Sequence, residues 1–161
     1  MRREEREIKS RQRVEEILQR AQVGRLGTLS QEGGPMIKPV NFLYSKGRIY
    51  FHSSFQGEKM GDLALNPRVC FEVDEAVEYI PASGSPCTAS FAYLSVIILG
   101  LARLVEDPEE KIRVLNQLTE KYQPGTKLSP LTRETVQNVA VVEIVVEKLT
   151  GKENLPPGFR P

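Results

Sequence analysis

The chain has 161 residues, of which 40% are apolar and 27% are charged, with a formal net charge of +1. These values are typical of one globular domain with a substantial core. Near-neutral charge gives no electrostatic reason to expect nucleic-acid or membrane binding. Two cysteines and one histidine are too few for a disulfide framework or a four-ligand zinc site. The charged N-terminus lacks the apolar segment of a secretory signal, so we expect a cytoplasmic protein with reduced thiols.

Hydrophobic periodicity and turn residues predict the elements of the N-terminal half. Residues 1–13 are highly charged and are expected to be flexible. Ser10 can cap a helix that extends to Ala21. Strand-like runs then cover residues 23–29, 35–44 and 48–53, followed by a short helix over 57–66 and a strand over 68–77.

The C-terminal half combines two long strands with a capped helix. A loop over residues 80–88 leads to an apolar strand over 93–105. Asp107 is expected to cap a helix that begins at Pro108 and extends to residue 122. A short helix over 129–138, a last strand over 139–149 and a tail over 154–161 follow. About six strands joined mainly by hairpins predict a mainly β fold, a six-stranded Greek-key barrel with peripheral helices. Residues 14–153 would form its single domain.

Lys59 is a candidate phosphate ligand. It lies at the predicted start of a helix, directly after Gly57 and Glu58, where free backbone N–H groups and the helix dipole favour an anion. A lysine at a helix start is, however, far more often a solvated surface residue. Both interpretations of Lys59 stay open from the residues alone.

His52 and the Pro39–Asn41 segment are further candidates. His52 could donate a hydrogen bond to a ligand, or it could be a structural histidine of the sheet. Pro39 removes a ladder donor and Asn41 adds a side-chain amide, which suits a strand edge facing a ligand, or a plain edge strand. The sequence contains no Gly-x-Ser-x-Gly, Gly-x-Gly-x-x-Gly or Walker motif.

Taken in order, several segments resemble the FMN-binding split-barrel superfamily. They are VGRLGT from residue 23, PVNF from 39, GRIYFHS from 47 and NPRVCFEVD from 66. The resemblance covers roughly residues 14–153. It is nearest to the branch related to pyridoxamine 5′-phosphate oxidase that includes the nitroimidazole reductases.

The resemblance implies a homodimer with FMN bound at the interface. Lys38, Pro39, Val40 and Asn41 would follow the flavin ring, and His52 and Ser53 would lie beside the ribityl chain or the phosphate. Lys59 would hold the phosphate, and Ser95 and Val96 would approach the flavin near the interface. The resemblance assigns neither a catalytic residue nor a metal ligand.

Two departures from the family pattern narrow the expected activity. Glu58 stands where the pyridoxamine 5′-phosphate oxidases have arginine before the phosphate-binding lysine. The sequence also lacks tryptophan and has no histidine after His52, so the C-terminal Arg-x-His substrate motif is missing. We therefore expect an FMN-dependent oxidoreductase other than pyridoxamine 5′-phosphate oxidase itself.

The expected reaction is reduction of a nitroimidazole or another electron-poor nitro compound, with NAD(P)H as a possible electron donor. The alternative is a non-catalytic flavin- or haem-binding module of the same fold. A deazaflavin cofactor is a weaker third possibility, since its charged tail would need more basic residues than the groove offers.

Overall fold

The computed structural model describes residues 3–156 and is built mainly from β-strands. A 3₁₀ turn over Glu4–Arg6 precedes the first helix, and another over Pro86–Thr88 lies in the loop between the two longest strands. The helices are α1 (Arg11–Arg20), α2 (Glu58–Leu65), α3 (Pro108–Tyr122) and α4 (Arg133–Val136). The strands are β1 (Gly24–Leu29), β2 (Pro35–Val40), β3 (Leu43–Ser45), β4 (Arg48–Ser53), β5 (Arg68–Ile80), β6 (Ser90–Leu104) and β7 (Ala140–Asn154).

The described strands form one antiparallel sheet of seven strands in the order β2-β1-β5-β6-β7-β4-β3. The mainly β, antiparallel class predicted from the sequence is therefore confirmed, and the predicted count of six strands is wrong. The three longest strands are longer than predicted. Strand β5 reaches Ile80, β6 begins at Ser90 and β7 continues to Asn154.

The extra strand arises because the predicted strand over residues 35–44 is broken at Asn41 and Phe42, between β2 and β3. The Phe42 N–H group donates to the hydroxyl of Tyr122 at 2.9 Å, and the Phe42 carbonyl accepts from Lys121 at 3.1 Å. Side chains of α3 therefore satisfy backbone groups that a continuous strand would pair with a neighbouring strand.

The main core covers one face of the sheet and is closed by α1. Leu26, Phe71 and Ile98 are fully buried there, as strict alternation along half-buried strands requires. Ser10 caps α1 by accepting from the N–H group of Arg13, so the predicted cap is confirmed. The apolar stripe of α1 buries Val14, Ile17 and Leu18. We call this core-facing side of the sheet the inner face and the opposite side the outer face.

Residues that precede α1 also pack against the sheet. Ile8 is 8% exposed and belongs to the main core, and Glu7 pairs with Lys152 of β7 in an isolated bridge. The described part of the predicted flexible segment 1–13 therefore includes packed residues. Residues 1–2, and residues 157–161 of the predicted tail, lie outside the described part of the chain.

Helix α3 covers the other side of β4 and β7. Its Val114 and Leu118 pack with Tyr50 and Val141 in a second apolar cluster. Asp107 caps this helix by accepting from the N–H group of Glu109, with proline next in the chain, as predicted. Among residues 3–156, no helix combines the length and the apolar character needed to cross a membrane.

Candidate functional site

Lys38, on the inner face of β2, is the centre of a polar cluster where β1, β2 and α2 meet. Its Nζ lies 3.1 Å from Oδ2 of Asp62 and 3.2 Å from Oε2 of Glu58. Burial alone lowers the pKa of Lys38, but the hydrogen bonds to Asp62 and Glu58 outweigh it, so the net pKa is raised. Lys38 is therefore a fixed positive charge with only one-fifth of its side chain exposed.

The buried carboxylate of Asp62 stabilises the positive charge of Lys38. Its side chain is fully buried, and Oδ2 also accepts from the hydroxyl of Thr28 at 2.9 Å. Burial tends to raise the pKa of Asp62, whereas the hydrogen bonds from Lys38 and Thr28 lower it, with the net result below the ordinary value. Oδ1 of Asp62 has no hydrogen-bond partner among the described residues. Asp62 is thus an ionised carboxylate whose charge is balanced by Lys38.

The N-terminus of α2 lies beside this cluster and is open. Gly57 precedes it with φ +114°, which favours glycine, and no atom lies within 4 Å of the place a Cβ would occupy. No side chain caps the first turn, so the first N–H groups of the helix are available to an acceptor.

Lys59 lies in this first turn and is half-buried, with Nζ 5.3 Å from the centre of the Phe51 ring. In the described chain Lys59 makes no salt bridge. Its pKa is lowered first by burial and then by the nearby charge of Lys38. An anion bound here would offset that repulsion. It would meet the Lys59 ammonium and a helix N-terminus, beside the Lys38 ammonium that Asp62 and Glu58 already bind.

The predicted residues on β4 lie on opposite faces of the strand. Alternation places Ser53 on the inner side with Phe51, whose ring carries the Lys59 contact. His52 is exposed on the side of Tyr50, opposite to Phe51. The structure therefore groups Ser53 with Lys59 and places the imidazole of His52 on the other face.

Pro39 of β2 and Ser95 of β6 lie on the outer face of the sheet. The register places Pro39 opposite Arg25, Arg25 opposite Glu72 and Glu72 opposite Ile97. Four strands separated by about 4.8 Å put Pro39 and Ile97 about 14 Å apart in one row. Ser95 lies two residues along β6 from Ile97, and Asn41 is exposed just beyond the end of β2. Ser95 is held by a 3.4 Å hydrogen bond to Glu72.

A shallow groove of about 530 Å³ lies on the outer face beside Ser95. Apolar side chains of Ile97 and Leu99 form its floor, and Lys148 and Lys152 of β7 border it. Within one chain, this groove and the Lys59 cluster lie on different faces of the sheet. The side chains of the two remaining predicted residues, Val40 and Val96, belong to the core, so only their backbone groups can reach a ligand.

Asp62 and Thr28 are site residues that the sequence did not reveal. Asp62 looks like an ordinary polar residue of a short helix, and its burial depends on Thr28 and Lys38 being brought to it by two strands. A single acidic residue produces no periodic pattern in the sequence, so the burial of Asp62 could not be predicted.

The sequence pattern that describes the pyridoxamine 5′-phosphate oxidase family matches residues 10–153. The chain belongs to this family. Its sequence resemblance to the FMN-binding split-barrel superfamily is thereby confirmed. No curated protein matches the chain at a significant level.

Solved structures support the same assignment. A provisionally assigned 5-nitroimidazole antibiotic resistance protein from Bacteroides thetaiotaomicron is 29% identical, with a TM-score of 0.78 over 91% of this chain and 85% of that one. The flavocytochrome Anf3 from Azotobacter vinelandii is 22% identical, with a TM-score of 0.86 over 100% of this chain and 75% of that one. An FAD- and haem-binding protein from Mycobacterium smegmatis is 19% identical, with a TM-score of 0.82 over 96% and 77%. The last two show a shared fold.

Proposed function

We propose that this family member is a homodimeric, FMN-dependent oxidoreductase that reduces a small electron-poor substrate such as a nitroimidazole. The observation that carries the proposal is Lys59, a half-buried ammonium without a carboxylate partner in the described chain, at the uncapped N-terminus of α2 and next to Lys38. In a family of this fold, such a charge arrangement suits the phosphate of a flavin mononucleotide.

The donor set fits that phosphate. Lys59 supplies a charge-assisted donor, and the N–H groups after Gly57 supply neutral donors in an open space. Lys38 supplies a second ammonium, which Asp62 keeps protonated. Ser53 would add a hydroxyl from the same side of β4. Glu58 works against the phosphate because it shares Lys38 and adds negative charge, so we expect modest FMN affinity.

Bound FMN would supply the hydride or electron transfer, and the protein would bind and orient it. Lys38, Pro39, Val40 and Asn41 would lie along the ring. His52 would approach the ribityl chain from the other side of β4. The edge position of β2 supports this role, because in the described sheet one side of β2 has no strand partner and its polar backbone groups are free to meet a ligand.

We propose that the outer face of β5, β6 and β7 is covered by a second copy of the chain. Ile97 and Leu99 in the middle of β6 are 42% and 43% exposed, and the rings of Tyr79 and Phe91 pack edge to face at 5.4 Å while staying exposed. Apolar area of this kind is costly to leave in water. Ser95 and Val96 of one copy would then reach the flavin held by its partner. The sheet would close into a split barrel in each copy.

The nitroimidazole assignment draws support from the Bacteroides neighbour, whose description includes 5-nitroimidazole resistance. NAD(P)H would be the electron donor. The second candidate, a non-catalytic flavin- or haem-binding module, draws support from the fold shared with the flavocytochrome and the FAD- and haem-binding protein. For haem, His52 is the sole histidine available as an axial ligand.

Turnover by the FMN-loaded protein separates these two functions. The protein would be mixed anaerobically with NADPH or NADH and a 5-nitroimidazole, and loss of the nitro chromophore would be followed. The proposal predicts reduction that requires both FMN and nicotinamide. FMN binding without reduction of any nitro compound by either nicotinamide, above the rate with free FMN alone, would support the binding module instead.

A further inference from the structure

The break between β2 and β3 is made by two adjacent side chains at the end of α3. The ladder between β1 and β2 pairs Gly24 with Val40, and the same register extended by two residues would pair Gln22 with Phe42. The hydroxyl of Tyr122 stands between these two residues. It accepts from the N–H group of Phe42 at 2.9 Å and lies 2.9 Å from the carbonyl oxygen of Gln22.

The hydroxyl of Tyr122 and the ammonium of Lys121 each have a separate carbonyl acceptor. A phenol has one O–H donor, and the Tyr122 hydroxyl is within reach of both the Gln22 carbonyl and, at 3.1 Å, the Phe42 carbonyl. Nζ of Lys121 already donates to the Phe42 carbonyl at 3.1 Å. The Tyr122 proton can therefore go to Gln22, and Lys121 and Tyr122 together satisfy the N–H and C=O groups of Phe42.

Contacts of the Phe42 ring with Phe71 and with Lys121 hold Phe42 in place. The Phe42 ring is fully buried and packs against Phe71 with ring centres 5.0 Å apart, while Nζ of Lys121 lies 3.9 Å above the Phe42 ring. Burial raises the pKa of Tyr122 and lowers that of Lys121 to about 8. In the described chain Lys121 has no carboxylate partner within salt-bridge distance, so its contacts with Phe42 and with the Tyr122 ring, 5.3 Å away, hold it in place.

We propose that Tyr122 and Lys121 are positioning residues for the flavin site, because they fix the point at which the Lys38–Asn41 segment leaves the sheet. This inference rests on the proposed function, in which that segment lies along the flavin ring. In this proposal neither residue touches the flavin. They act through Phe42, whose peptide groups directly follow Asn41 in the chain, so loosening Phe42 shifts the backbone donors and acceptors offered to the ring.

The test uses Tyr122→Phe and Lys121→Met in the full chain. Tyr44→Phe is the matched control for the first, because it removes a hydroxyl bonded to Glu15 at 2.9 Å without touching Phe42. Lys127→Met, in an exposed loop, is the control for the second. We expect faster amide hydrogen exchange at Phe42 in the FMN-free Tyr122→Phe protein, since the acceptor of that N–H group is lost.

For FMN we expect about tenfold weaker binding in Tyr122→Phe and Lys121→Met, the size of one lost hydrogen bond. The visible circular dichroism of the bound flavin should change in both, and Lys121→Arg should restore both properties. The controls should match the wild type. If FMN binds all variants with equal affinity and unchanged dichroism, the inference is overturned while the proposed function stands. If the wild type itself binds no FMN, the proposed function fails and the inference with it.

Discussion

Replacing Glu58 by glutamine should tighten FMN binding. The Glu58 carboxylate lies 3.2 Å from Nζ of Lys38, while 59% of the Glu58 side chain is exposed. The same Lys38 ammonium is also bound by buried Asp62. A phosphate at the N-terminus of α2 must therefore compete with Glu58 for Lys38 and tolerate its negative charge. Glutamine keeps the size of the side chain and removes both obstacles.

The expected gain follows from two small contributions. An exposed ion pair such as Lys38 with Glu58 contributes about 0.2–1 kcal/mol, which the phosphate no longer has to displace. A carboxylate about 6 Å from a phosphate of charge about −1.5 to −2 is repelled by about 1 kcal/mol in water, before screening by salt. Together they predict about 1–2 kcal/mol, or roughly 5–30-fold tighter binding.

Glu58 also has a favourable role that the same variant should reveal. An acid in the first turn stabilises a helix by about 0.3–1 kcal/mol through its dipole. Glu58→Gln should therefore bind FMN more tightly while unfolding at slightly lower urea concentration. These opposite signs distinguish a local electrostatic effect from general stabilisation of the fold.

Quenching of FMN fluorescence would measure the dissociation constants, in low and in high salt. The matched control is Glu134→Gln, because Glu134 is an exposed acid in the first turn of α4. The gain in Glu58→Gln should shrink in high salt, and Glu134→Gln should bind as the wild type does. Equal or weaker binding by Glu58→Gln at both salt concentrations would refute the placement of the phosphate beside Lys38.

Four further predictions concern single side chains. Lys59→Ala should weaken FMN binding by about 1.5–3 kcal/mol through loss of a charge-assisted contact, and an unchanged dissociation constant would make Lys59 a plain surface residue. Glu143 is buried between Arg48 and Arg103, so Glu143→Gln should lower the free energy of unfolding by about 1–3 kcal/mol in urea titrations. Because the folded pKa of Lys121 is about 8 against an ordinary 10.5, the unfolded chain binds more protons between these values. Stability should therefore rise by about 2–3 kcal/mol from pH 8 to 10.5 and stay flatter in Lys121→Met. Ile97→Lys should convert a dimer into a monomer in sedimentation, and a wild-type monomer would contradict the proposed interface.

Local features of the fold could be predicted from the sequence because their causes are local. Ser10 caps α1 and Asp107 caps α3 as expected, since a cap needs a side-chain oxygen only two or three residues from the N–H group it accepts. The break after Asn41 could not be predicted. It depends on Tyr122, which is 80 residues from Phe42 along the chain.

In the candidate site, too, local features could be predicted from the sequence and long-range contacts could not. Gly57 and Lys59 mark a helix start, so a phosphate-binding role could be suggested from their positions alone. The charge of Lys38 and the burial of Asp62 depend on which strands flank α2. Likewise, Pro39 and Ser95 lie on one face only because the register of three strand pairs aligns them, and register is a property of the whole sheet.

The visible spectrum of the purified protein, recorded with and without added FMN, tests the central claim most directly. We expect FMN to bind at micromolar to tens-of-micromolar concentration, with a shifted flavin band and quenched fluorescence, and we expect Lys59→Ala to weaken this binding. If the protein shows no flavin absorbance as purified and binds no FMN at tens of micromolar, the proposed FMN site does not exist.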